Sequence, residues 1–197
     1  MSGNQHLVSG SAILVLSYVG IRCVLTRCEI EPVLNVTHFI SAQFADIPVW
    51  TLPICLFLFM LGLLVPDTDS PVSTLGRYIH IPVEHRTWLH TAWFLGLFVL
   101  AGFACIFHAA FYWLSYGIFL HLFMDSFSKC GVCWFYPISQ YRHFGSNGAK
   151  VKKNHKIVLY KNETQAWVLC TILVMCAIFA CVTCRNILIP YAEFFHT

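Results

Sequence analysis

The chain has 197 residues, of which 58% are hydrophobic, 16% aromatic and only 11% charged, with a net charge of +3. A soluble domain of this length carries about 25% charged residues. With a mean hydropathy of +0.69 the composition excludes an ordinary soluble globule and favours an integral membrane protein. We expect one all-α membrane domain over residues 1–197.

Five apolar runs appear in chain order. The first covers residues 7–25 and is rich in Ser and Gly, which suits helix–helix packing over lipid contact. It has no basic leader and no Ala-x-Ala-like end, so it reads as a retained span. His6 stands just before it. The second covers residues 49–65 and stops at Pro66. Residues 91–124 form a run of 34 residues, about 51 Å as one helix. That exceeds a hydrocarbon core of about 30 Å, so the run is expected to fold back near residues 108–111 as two short spans. The fifth covers residues 167–189 and ends before Pro190. The prediction is a helical bundle of about five spans.

Acid and histidine gather at the ends of these runs. PDTDSP carries Asp67 and Asp69 two apart. If the segment is extended, both point one way and suit a metal; the alternative is an Asp turn or helix cap, above all for Asp69. EHRTWLH carries His85 and His90 five apart, with His90 at the membrane edge and Thr87 as a candidate cap. Arg86 between them suits a phosphate or carboxylate, or else a salt bridge with Glu84 or Asp67. HLFMD places His121 and Asp125 one helical turn apart, able to reach one ion or to form a buried structural pair. Mixed Asp and His donors are what Zn²⁺, or alternatively Mn²⁺, asks for. Asp69 or Glu84 is a candidate general base. Glu163 has no supporting pattern.

Span counting brings these motifs to one face. Five spans put His6, the Asp67/Asp69 turn, His85/His90, His121/Asp125 and the loop after residue 126 on the same side. Nine of the 12 basic residues are Arg77, Arg86, Lys129, Arg142, Lys150, Lys152, Lys153, Lys156 and Lys161, all on that side, which marks it as cytoplasmic. The basic loop 137–165 reads as a topology-setting, lipid-touching segment, and nucleic-acid binding is not expected of it. Most of the ten cysteines lie in apolar runs and behave as small hydrophobes. The Cys130/Cys133 pair is a weak zinc candidate, lacking a second polar pair.

The series QHLVSGSA, LGLLVPDTDSPVSTLGR, EHRTWLHT and YGIFLHLFMDSFSKCGVCWFYP resembles the YdjM/YbcI family of bacterial membrane-bound, metal-dependent hydrolases. The resemblance runs from about His6 to Pro137. It implies that His6, Asp67, Asp69, His85, His90, His121 and Asp125 occupy metal-binding positions, with Arg86 in the His-Arg pair. Glu84 and Thr87 stand where the family has Gly, Ser70 where it has His, and Ser128-Lys129 where it has Thr-Pro. The Cys130/Cys133 pair replaces residues that are not ligands. The likeness in ligand style to zinc-dependent phospholipases C implies a phosphoester or lipid substrate at the inner-membrane surface. The rival expectation is a non-enzymatic metal protein, structural or carrying the ion. The oligomeric state is not assigned.

Overall fold

The apolar runs become the helices, and the polar motifs sit at their ends. The computed structural model describes residues 2–27, 51–104, 108–139 and 158–183. Among these the chain is all-helical: α1 (Gly3–Arg27), α2 (Leu52–Leu64), α3 (Ala92–Ala104), α4 (His108–Ser126) and α5 (Glu163–Thr183). Pro53 sits in the first turn of α2, where its missing N–H leaves no partner unsatisfied. At its other end α2 tightens into a 3-10 turn, Val65–Asp69. The long third run carries two helices: α3 ends at Ala104 and α4 begins at His108, and residues 105–107, just ahead of the expected fold-back at 108–111, lie outside the described residues.

Glycine decides how the bundle closes. A Cβ on Gly62 would lie 2.2 Å from the Leu114 carbonyl oxygen, and one on Gly117 would lie 2.2 Å from that of Phe59. The backbones of α2 and α4 therefore touch, which only glycine allows at those two positions. Phe59 and Leu63 from α2 pack with Leu120 and Met124 from α4 as a buried cluster, edged by Leu7 and Leu14 of α1. Gln5 ties α1 to α5 by donating from Nε2 to the Glu163 carbonyl at 3.2 Å.

The outer surface is apolar along whole helix stripes. On α5, Val168, Ile172, Met175, Phe179 and Val182 are exposed; on α3, Trp93, Leu97, Leu100 and Phe103 are. Such continuous stripes are not tolerated in water and suit lipid. Among the described residues, two helical segments, Leu52–Asp69 and Glu163–Thr183, are long and apolar enough to cross a membrane.

Candidate metal centre

Three elements converge on one buried spot. The 3-10 turn after α2 carries Asp67 and Asp69, a second 3-10 turn, Trp88–His90, delivers His90, and the last turns of α4 deliver His121 and Asp125. The extended arrangement expected for PDTDSP is replaced by this tight turn. Asp67 and Asp69 consequently face different partners. Thr87 does not cap with its side chain; its hydroxyl donates to the Glu84 carbonyl. The cap of α3 is Thr91, whose Oγ1 accepts the Phe94 N–H at 3.1 Å.

Asp67, His90, His121 and Asp125 form the inner group, all four buried and with their donor atoms within 4.8 Å of one another. His90 Nε2 lies 3.2 Å from His121 Nε2, 3.8 Å from Asp67 Oδ1 and 3.9 Å from Asp125 Oδ2. His121 Nε2 lies 3.6 Å from Asp67 Oδ1 and 3.9 Å from Asp125 Oδ2. The tautomers follow from what stands behind each ring. His121 donates from Nδ1 to the Leu63 carbonyl at 2.7 Å. His90 Nδ1 faces Asp69 Oδ2 at 3.3 Å. A carbonyl only accepts, so His121 carries its proton on Nδ1 and presents a lone pair from Nε2, and the carboxylate behind His90 favours the same tautomer there.

In that tautomer two lone pairs stand 3.2 Å apart with two carboxylates beside them, and they repel unless a proton or a metal cation lies between. Bonds of about 2.0–2.1 Å place neighbouring ligands of a tetrahedral zinc ion about 3.3 Å apart. The separations above run from 3.2 to 3.9 Å, close to that value at the two imidazoles and wider at the carboxylates. The donor set fits a divalent ion, and this buried His/Asp cluster can hold one.

Asp69, His85 and His90 form an outer group. Asp69 Oδ1 accepts from His85 Nδ1 at 2.5 Å, and Oδ2 accepts the Arg86 backbone N–H at 3.0 Å. Arg86 adopts φ of 64°, a left-handed conformation costly for a side-chain-bearing residue. It aims that N–H at Asp69 while its guanidinium reaches the other way. The His85 side chain remains 43% exposed, so this group opens outward where the inner one does not.

Arg86 pairs with Asp125, not with Glu84 or Asp67. Its Nη2 lies 3.1 Å from Asp125 Oδ2, and its Nη1 donates to Ser128 Oγ at 2.7 Å. Burial would lower the guanidinium pKa, yet the neighbouring Asp125 carries it above its ordinary value. Tyr160 donates to the Met124 carbonyl at 3.0 Å and stands 3.4 Å from Asp125 Oδ1. Burial, reinforced by Asp125, pushes its phenol pKa upward, so Tyr160 remains a neutral donor.

His6 is fully buried, its ring stacked on His121 at 3.9 Å and its Nε2 3.3 Å from Asp125 Oδ1. The structure thus brings His6, Asp67, Asp69, His85, Arg86, His90, His121 and Asp125 together. Glu84 stands apart, exposed, with its carbonyl serving Thr87. Glu163 is exposed in the first turn of α5, and Cys130 and Cys133 belong to neither donor group. Ser128 and Tyr160 were missed by sequence reasoning. Ser128 is visible as the residue departing from a Thr-Pro pattern, but Tyr160 lies in a basic loop that carries no signal. His38, His143, His155 and His196, which lack acidic company in the sequence, lie outside the described residues, as does most of the loop 137–165.

A family model described as YdjM inner membrane protein matches residues 1–188. Neither a curated protein nor a solved structure gives a match.

Proposed function

This chain belongs to the YdjM inner membrane protein family, and on that premise we propose that it is a metal-dependent hydrolase of a phosphoester or lipid-like substrate at the cytoplasmic membrane surface. The observation that carries the reading is the convergence of His90 Nε2 and His121 Nε2 at 3.2 Å between Asp67 and Asp125. Asp67, His90, His121 and Asp125 would hold the ion, Zn²⁺ by preference and Mn²⁺ as the alternative, with His6 next to Asp125. A bound divalent ion supplies acidity to water and stabilises charge on a phosphoryl oxygen.

The remaining roles fall to the chain itself. Asp69 orients His90 from behind, and the same carboxylate holds His85 with Nε2 turned outward. That places proton uptake on the Asp69–His85 pair, half open to water. Glu84, exposed one residue away, suits proton exchange with solvent better than ligation. Arg86 holds Asp125 and offers its remaining N–H groups to a substrate anion.

We read α1 to α5 as five passes that place the N-terminus and the site on the cytoplasmic face. α5, and α2 together with its 3-10 turn, meet the length and hydropathy of a span, and the basic residues gather on the motif side.

A second reading, a structural or carrier metal, is favoured by one feature: the four inner donors are all buried, as in closed structural sites. Metal content and phosphoester turnover of the purified full chain, beside Asp67→Asn and His90→Ala, separate the two. The hydrolase reading expects bound zinc and turnover in the wild type, and both lost in the variants. Zinc without turnover of any phosphoester supports the second reading, and a wild type without divalent metal sinks both.

A further inference from the structure

A cleft of about 220 Å³ opens beside Asp125, lined by Arg86, Ser128, Lys129, Tyr160, Lys161 and Glu163 among others. We propose that it is an anion subsite that receives a phosphoryl group. The proposal deepens the hydrolase reading and rests on it for the idea that this anion belongs to a substrate.

The backbone goes out of its way to assemble this charge. Ser128 and Tyr160 form an isolated parallel bridge, fastened by the Leu159 N–H on the Phe127 carbonyl at 3.0 Å. Lys129 and Lys161 each follow one residue after the bridged pair, so chain segments distant in sequence bring two lysines to the lining of one cleft. Arg86 lines the same cleft with its charge already paired to Asp125, so Lys129 and Lys161 outnumber the one acidic lining residue, Glu163. An excess of basic residues around a cleft favours an anion within it.

Arg86 is prepared for the task. A guanidinium has five N–H donors. Ser128 Oγ, the Gly131 carbonyl at 3.4 Å and Asp125 engage three of them. Those contacts fix the plane and leave Nε and one Nη2 hydrogen for a bidentate oxygen pair. Tyr160, 3.4 Å from Asp125 Oδ1, forms the wall between cleft and inner donors. A phosphoryl group held in this cleft therefore lies one side chain from Asp125. The anion has two sources, the headgroup of an anionic phospholipid or a soluble phosphate.

The test is calorimetric titration of inorganic phosphate into the full chain in neutral-lipid nanodiscs, with and without added Zn²⁺. Wild type is expected to bind phosphate in both conditions. Lys161→Gln, at an exposed position, should weaken binding roughly ten-fold, the worth of one charge-assisted contact. Nanodiscs doped with phosphatidate identify the source: competition marks a lipid headgroup, and unchanged phosphate affinity marks a soluble phosphate. Absence of phosphate binding, or equal affinity in wild type and Lys161→Gln, overturns the subsite. Lys161-dependent binding in a chain that takes up no zinc would keep the subsite and sink the metal reading. Phosphate binding that requires zinc and ignores Lys161 does the reverse.

Discussion

His90 has an acidic neighbour for each ring nitrogen, and the two do different work. Asp67, with His121 and Asp125, faces Nε2, whereas Asp69 lies behind Nδ1 at 3.3 Å. A carboxylate in that rear position fixes the tautomer and raises ligand basicity, an effect worth about 10–100-fold in metal affinity. Asp69→Asn should therefore weaken zinc binding by roughly that factor while leaving a site. Asp67→Asn, which removes a donor, should abolish high-affinity binding. Zinc competition against a chromogenic chelator measures both. Identical affinity in wild type and Asp69→Asn would show that His90 needs no support from behind.

At the scale of elements, the centre depends on how closely α2 approaches α4. The Leu63 carbonyl that orients His121 sits one residue beyond Gly62, and the contact spans 2.7 Å. A methyl group at Gly62 meets the Leu114 carbonyl at 2.2 Å, and backbone cannot yield as a side-chain tip does. Gly62→Ala should cost about 1–3 kcal/mol, the usual penalty of overpacking, and loosen the His121 contact. Gly96→Ala is the control: nothing lies within 4 Å of its new Cβ, so the better helix propensity should make it neutral or stabilising by up to about 1 kcal/mol. Thermal unfolding in detergent, read beside zinc affinity, compares them. Equal stability of the two variants would mean that the helices can part without consequence.

The same scale explains what was legible in the sequence. The apolar runs and their lengths announce the helices, including the division of the third run into α3 and α4, because an apolar run of 34 residues is longer than one span needs. The donor types and their spacing announce His121 and Asp125, since i and i+4 share a helix face. Partners set by three-dimensional closure leave no such trace. Pairing Arg86 with Asp125 requires a left-handed residue and the docking of a turn 42 residues away through Ser128. The 3-10 turn at Val65–Asp69 reads equally well as extended chain, because Pro and alternate Asp suit both. Tyr160 reaches the site through an isolated backbone bridge to Ser128, a pairing that no sequence spacing announces.

For the whole molecule the open matter is orientation, and the argument is electrostatic. Basic residues resist translocation against the membrane potential, so the face carrying Arg77, Arg86, Lys129 and Lys161 should remain in the cytoplasm. The lysine-lined cleft and the metal donors would then both confront the anionic inner leaflet, where juxtamembrane cations are worth about 1 kcal/mol each. Cys130 provides a native reporter, since it is exposed and sits between Lys129 and Gly131 on that face. In intact spheroplasts a membrane-impermeant maleimide should label wild type and Cys130→Ser equally, because the thiol is shielded. In inverted vesicles wild type should gain a label that Cys130→Ser lacks. A Cys130-dependent label in intact spheroplasts would place the site outside and turn the five-pass reading over, moving the expected substrate to the opposite surface of the membrane.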